Sequence, residues 1–196
     1  FYFSALKAEI KVVTSIKPIH SLVSYIMEGV GSPDLIVDGY NSPHGFSLKP
    51  SHAKMLQEAD IVIYVGEGLE EFLEKPLESL AQKAVKFELL KQSGMKKLKF
   101  RERNFFEGHD DHGHDKKAKK EDHDDHGHDD HGHGEFDPHI WLDPMNAKII
   151  IKKVTNQLSK LDKDNSSTYK SNSKKVLKEI DNLIKQVKSD INKDAK

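Results

Sequence analysis

The sequence contains no cysteine among its 196 residues. Within these residues there is therefore no disulfide, no cysteine-ligated zinc site and no lipoprotein anchor cysteine. No run reaches the roughly 18 apolar residues that a membrane-spanning helix needs. The net charge is −1, so the overall composition lacks the basic excess that is typical of nucleic-acid-binding proteins. The HExxH motif of many zinc hydrolases is also absent, which argues against an enzyme of that class.

The first eight residues, 1–8, are mostly apolar and end in the small residue Ala8. This pattern is typical of the end of a secretory signal peptide. We expect cleavage after Ala8, and a ragged end without function is the alternative. The sequence starts at Phe1 and stops at Lys196 within a helical pattern, so we expect the natural protein to continue beyond both ends.

Short runs rich in β-branched residues predict strands, and apolar residues at helical spacing predict the helices between them. The predicted strands cover residues 10–16, 35–37, 61–65 and 85–89, and the predicted helices cover 19–27, 50–59, 69–84, 145–160 and 166–196. Pro76 is expected to kink or break the third of these helices. This alternation predicts βαβ units, and therefore an α/β fold with a four-stranded, mainly parallel sheet flanked by helices. Because ligands bind such sheets beyond the carboxyl ends of the strands, we expect the loops after Val37 and Val65 and the segment around His139 to share one edge.

The domain organisation that follows has three parts. Residues 1–8 are a signal-peptide remnant, residues 9–160 form an N-terminal α/β lobe, and residues 165–196 form a long linking helix. The lobe includes a His- and Asp-rich loop at about 105–136, which we expect to be disordered because its few apolar side chains cannot offset the entropy of ordering. The last helix has a narrow apolar seam on a polar surface, which is typical of a strut between lobes or of a coiled coil.

The His- and Asp-rich loop is the first candidate metal-binding feature. The heptad HDDHGHD occurs at 109–115 and again at 123–129. Imidazole suits zinc, copper and nickel, and residues i and i+2 of an extended chain face the same side, so each His-x-His pair can chelate an ion. Between His109 and Asp137 there are eleven acidic residues and four lysines, a net charge of −7 with neutral histidines, which attracts cations. We therefore expect auxiliary, poorly selective metal binding by eight histidines: His109, His112, His114, His123, His126, His128, His131 and His133. A solvated linker or a tag is the alternative.

Two isolated histidines form the second candidate feature. His44 lies in the segment Ser42–Pro50, His139 lies in the segment Asp137–Pro144, and each directly follows a proline. Rigid placement of ligands is what a selective metal site needs, because geometry rather than raw affinity gives selectivity. Spacing alone leaves open whether these histidines are ligands or structural residues.

The residues around both histidines resemble a known family. The string SPHGFSLKPS at 42–51, followed by ADIVIYVG at 59–66, looks like the first ligand loop of ZnuA-type proteins, the metal-binding receptors of ABC importers. The segment HIWLDP at 139–144 looks like their second ligand motif, and TSIKPIH at 14–20 also fits. An acidic, His-rich loop between the two motifs is typical of the zinc members. The resemblance covers residues 9–196.

The resemblance implies a periplasmic protein of two α/β lobes joined by a long helix, with Zn²⁺ bound in the cleft and delivered to a membrane permease. It implies that His44 and His139 are zinc ligands and that a third histidine and a carboxylate or water come from a second lobe, which we expect this sequence to lack. Some relatives have an acidic residue where this chain has Pro43, so a carboxylate ligand from that loop is not expected. The protein is expected to be a monomer and not an enzyme.

Two further residues are candidates for supporting the ligands, and two other functions stay open. His20, at the start of the first predicted helix, is expected to have a structural or supporting role. Asp143 is expected either to support the site or to cap the helix that starts near Pro144. One alternative function is a manganese receptor of the same family, although manganese prefers more oxygen ligands. The other is a metal storage or chaperone protein, in which the His-rich loop is itself the functional site.

Overall fold

A computed structural model of the chain describes residues 9–66, 68–99 and 135–194. Its sheet contains four strands: β1 (Val12–Ile16), β2 (Asp34–Val37), β3 (Ile61–Tyr64) and β4 (Val85–Glu88). Their spatial order is β2-β1-β3-β4, and all three neighbouring pairs are parallel. The predicted α/β fold and parallel sheet are confirmed.

The helices lie at α1 (Lys17–Met27), α2 (Pro50–Glu58), α3 (Glu74–Ser79), α4 (Pro144–Leu161) and α5 (Ser166–Asp194). Two short 3₁₀ helices, Glu71–Leu73 and Ile140–Leu142, precede α3 and α4. Proline occupies the first turn of α1, α2 and α4, where its missing N–H costs nothing and its fixed φ suits the helix. The prolines thus start these helices, and the chain turns directly from β1 into α1.

The helix predicted for residues 69–84 is wrong in its extent, although an interruption near Pro76 was expected. The chain instead forms the 3₁₀ turn Glu71–Leu73 and then the short helix α3, which has Pro76 in its first turn. Proline in a helix interior removes a hydrogen bond and clashes with the preceding turn. A continuous helix through Pro76 would have incurred both costs, and beginning the α-helix just before the proline avoids them.

The core lies around the central strand β1, which is buried along its whole length. Helix α1 contacts β1 and β2 and also packs against α4 and α5. Its buried residues Ile19, Val23 and Ile26 recur at helical spacing, so a single apolar stripe faces the core. This packing fixes the carboxyl end of β1, at which the candidate site lies.

Helix α5 is attached to the lobe through its first half. Tyr169 and Val176 are buried there, and the Asn172 side chain donates to the carbonyl oxygens of Ile26 and Glu28 at 3.1 and 2.8 Å. In the second half, Leu183, Val187 and Ile191 are exposed. The division at residues 160 and 165 and the linking role of this helix stay predictions.

No helix in the described parts of the chain is both long enough and apolar enough to span a membrane. Residues 1–8, which we interpret as a signal-peptide remnant, lie outside the described residues.

Candidate metal centre

An open cavity of about 310 Å³ lies at the carboxyl edge of the sheet. The ends of β1 and β2 contribute Ile16 and Val37 to its wall, and Leu69 follows β3. His44 and His139 both line it. The expectation that the loops after β2 and β3 and the His139 segment share one edge is therefore confirmed.

The two imidazole rings face each other across this cavity. Their centroids are 6.3 Å apart, and the ring planes are inclined by 42°. A tetrahedral zinc ion with Zn–N distances near 2.1 Å would place two ring centroids roughly 5 Å apart. The observed separation is about 1 Å longer, a difference within the range of loop and side-chain adjustment on binding.

His139 is held by the carboxylate of Asp137, two residues before it. Asp137 Oδ1 accepts the backbone N–H of His139 at 2.9 Å and lies 2.7 Å from its ring Nδ1. These contacts, the backbone hydrogen bond first, lower the pKa of Asp137, so the carboxylate stays ionised at neutral pH. A carboxylate at Nδ1 favours the proton there and directs the Nε2 lone pair to a metal. Asp137 was missed as a functional residue in the sequence, and its position two residues before His139 is the pattern that could have indicated it.

His44 lies on the loop between β2 and α2 and is exposed. Its backbone N–H donates to Ser42 Oγ at 3.1 Å. Gly45 has φ +72°, a left-handed conformation that glycine adopts without steric cost. The chain therefore turns sharply after His44, and Phe46 packs back against the fold.

Glu70 is a second residue that sequence reasoning missed. It is 2% exposed, and its carboxylate accepts hydrogen bonds from the Ser15 hydroxyl and from the N–H groups of Val65 and Gly66. Burial raises the pKa of Glu70, and these hydrogen bonds oppose that shift. The carboxylate joins the carboxyl ends of β1 and β3 just behind Leu69. A glutamate in a turn normally indicates a solvated residue, so the sequence pattern carries no sign of this role.

The two supporting candidates have clear structural contacts. Asp143 caps α4 by accepting the Met145 N–H at 2.8 Å, and it lies 3.8 Å from Lys96 Nζ. His20 Nε2 lies 3.0 Å from the carbonyl oxygen of Pro33. Neither hydrogen-bonds to His44 or His139 in the described ranges. The cap predicted for Asp143 is present, and a supporting role at the metal stays a prediction for both residues.

The eight auxiliary histidines, from His109 to His133, lie outside the described residues. The two flanks of this segment are described, and they pair with each other: Lys99 and Phe136 form an antiparallel bridge, and the Asp137 N–H donates to Leu98 O at 2.8 Å. The segment is thus joined to the fold directly beside Asp137. Among residues 9–66, 68–99 and 135–194, no group of three or more His, Cys, Asp or Glu side chains could hold a metal ion.

The site can be compared with known proteins. The sequence model of the ZnuA family, described as "Zinc-uptake complex component A periplasmic", matches residues 12–196. A relative from Brucella abortus (strain 2308), named high-affinity zinc uptake system protein ZnuA, is 42% identical over 92% of this chain and 58% of its own length. The chain belongs to the ZnuA family. It spans about 58% of the length of these curated relatives.

Solved structures share the fold of this ZnuA-family chain. The Mn-bound periplasmic metal-binding protein of Candidatus Liberibacter asiaticus has a TM-score of 0.70 and 22% identity, covering 93% of this chain and 57% of its own. Zn(II)-bound AdcA of Streptococcus pneumoniae has a TM-score of 0.66 and 20% identity, covering 91% of this chain and 32% of its own. At these identities the likeness shows the fold.

Proposed function

We propose that the protein is the zinc-binding receptor of an ABC importer and that it binds Zn²⁺ in the cavity through His44 and His139. The pair of rings 6.3 Å apart at the sheet edge, in a chain of a zinc-uptake family, is the observation that carries the proposal. Imidazole nitrogen is a preferred zinc ligand. Two loops that are distant in sequence bring one such ligand each to the same cavity.

The binding chemistry follows from the contacts of the two rings. Asp137 at Nδ1 of His139 leaves Nε2 to bind the ion and raises the basicity of that ligand. Two imidazoles fill two of the roughly four positions around a tetrahedral zinc. We propose that a histidine and a carboxylate or water, from a part of the protein outside the described residues, fill the others.

Delivery completes the proposed role. The receptor, a monomer in the periplasm reached through a cleaved signal peptide, would carry Zn²⁺ to a membrane permease. The role is binding and release of an ion, so it requires no catalytic group. The family description and the name of the Brucella relative support this assignment.

The His-rich segment is proposed as an auxiliary binder. Its flanks are joined beside Asp137, so an ion held on the segment stays at a high effective concentration near the cavity. The storage alternative makes the segment itself the functional site. Manganese is a second candidate cargo, because one structural neighbour is Mn-bound. Two imidazoles favour zinc over manganese, which prefers oxygen ligands.

The test is zinc titration by calorimetry, with a competing chelator, on the full-length protein at neutral pH. Three variants are compared with wild type: the double substitution His44→Ala with His139→Ala, a deletion of residues 109–133, and His20→Ala. The last removes an imidazole that lies on α1, bonds to Pro33 and does not line the cavity, so it is the control for losing a histidine that is not expected to be a ligand.

The proposal expects the double substitution to remove one tight site, the deletion to remove only weaker sites, and His20→Ala to leave the tight site intact. If the deletion abolishes the tightest site and the double substitution leaves it, the storage function is correct instead. Competition with Mn²⁺ at the tight site separates the two receptor types, since a zinc receptor retains Zn²⁺ in excess Mn²⁺.

A further inference from the structure

The ring of Phe46, two residues after His44, lies between two other rings. Its centroid is 5.5 Å from that of His52, stacked at an interplanar angle of 29°, and 5.0 Å from that of Phe72 at 58°. Phe46 is half-buried in a loop whose neighbouring residues Gly45 and Ser47 are exposed. Of the residues from His44 to Ser47, Phe46 is therefore the one that packs against the fold.

His52 is the inner partner of this contact. The sequence places it just after the start of α2, where an exposed side chain is expected, yet the residue is only 4% exposed. Its Nδ1 accepts the backbone N–H of Lys49 at 3.1 Å, which satisfies an N–H at the start of the helix. Burial lowers the pKa of His52, the Lys49 charge adds to this, and Asp38 opposes it. The ring is therefore neutral at pH 7, as an Nδ1 acceptor requires.

We propose that His52 is a positioning residue for His44, holding the loop through its hydrogen bond to Lys49 and its ring contact with Phe46. The inference rests on the proposed function, because it assumes that His44 is a zinc ligand. It concerns a residue outside the cavity, since His52 is not among the residues that line it.

Both contacts of His52 are with residues of the loop that follow His44. Phe46 fixes the chain just after the left-handed turn at Gly45, and Lys49 fixes the chain where α2 begins. A loop that is already ordered does not have to lose conformational entropy when the ion binds. Removing a group that hydrogen-bonds a ligand directly typically lowers metal affinity by about 10- to 100-fold, so the lower end of that range is expected for His52, which acts through the loop.

Three substitutions of His52 test separately its hydrogen bond to Lys49 and its ring contact with Phe46. His52→Asn keeps an acceptor at the position of Nδ1 but loses the ring. His52→Phe keeps a ring against Phe46 but loses the acceptor, and His52→Ala loses both. Zinc affinity at the tight site is measured by calorimetry on each full-length variant, and cobalt(II) absorption spectra of the same variants report the geometry of the bound metal.

Leu158→Ala is the matched control for general destabilisation. Leu158 is fully buried and lies about 20 Å along α4 from the end of that helix nearest His139, at 1.5 Å per residue. It should lower the unfolding temperature and leave zinc affinity unchanged.

We expect His52→Ala to weaken zinc binding by about tenfold or more, and His52→Asn and His52→Phe each to recover part of the loss. The proposal is overturned if His52→Ala binds within about twofold of wild type, or if Leu158→Ala at a similar unfolding temperature loses as much affinity. Failure of the proposed function gives a different result, because His44→Ala would then leave the tight site of the wild-type protein intact.

Discussion

Replacing Asp137 by Asn should weaken zinc binding while leaving the fold intact. Both contacts to His139, from its backbone N–H and from its ring Nδ1, go to the same oxygen, Oδ1. Asn retains an oxygen at that position, so it can keep the geometry and remove only the charge. The loss of affinity then measures how much the ionised carboxylate contributes to the basicity of the His139 ligand.

The expected magnitude is at the low end of the range for outer-shell carboxylates. Such substitutions cost about 10- to 100-fold in metal affinity. The Asp137 side chain is 43% exposed, and water screens its charge. We therefore expect roughly a tenfold loss, which corresponds to about 1.4 kcal/mol. Asp137→Ala also removes both hydrogen bonds, so it should weaken zinc binding more than Asp137→Asn does.

The assay is chelator-competition calorimetry at pH 6 to 8. Because the pKa of Asp137 is lowered, the carboxylate is ionised throughout this range and its contribution is lost only in acid. Asp60→Asn is the control, since Asp60 lies just before β3, at the opposite end of the sheet from the cavity, where it accepts the Lys11 N–H, and Asn keeps an acceptor oxygen there. Equal affinity in Asp137→Asn and wild type, or an equal loss in Asp60→Asn, would refute the reasoning.

Four further predictions concern stability and pH. Tyr169→Phe removes a buried 2.8 Å hydrogen bond to Asp162 and should lower the free energy of unfolding in urea by about 1–2 kcal/mol. Burial raises the pKa of Tyr169, so the folded state keeps a proton that the unfolded chain releases, and wild-type stability should fall as pH rises above about 10. Glu70→Gln leaves one acceptor oxygen where the carboxylate accepts hydrogen bonds from three donors. It should lower the free energy of unfolding in urea by about 1–3 kcal/mol. Zinc affinity measured by calorimetry should fall in acid, because protonated imidazole has no lone pair for a metal. An affinity that stays constant down to pH 5 would contradict imidazole ligation.

The sheet could be predicted from the sequence because its central strands, β1 and β3, are buried on both faces. A continuous apolar run such as 61–65 is typical of a strand that is buried on both faces. The parallel arrangement then brings the carboxyl ends of these strands to one edge. The cavity with His44 and His139 follows from that topology.

The supporting residues could not be predicted in the same way. A polar side chain near a proline or in a turn normally indicates solvent exposure, but His52 and Glu70 are buried, each through hydrogen bonds to backbone groups. These hydrogen bonds depend on how the loops pack in three dimensions. Neither hydrophobic periodicity nor composition reveals that packing. The predicted extent of α3 was wrong for a local reason, because Pro76 restricts where that helix can start.

The central claim is that His44 and His139 bind the same zinc ion. The most direct measurement is a crystal structure of the zinc-loaded full-length protein, with anomalous diffraction collected at the zinc absorption edge. The account predicts a strong peak about 2.0–2.1 Å from Nε2 of His139 and from one ring nitrogen of His44. A well-ordered zinc peak that contacts neither ring, or only one of them, would contradict it.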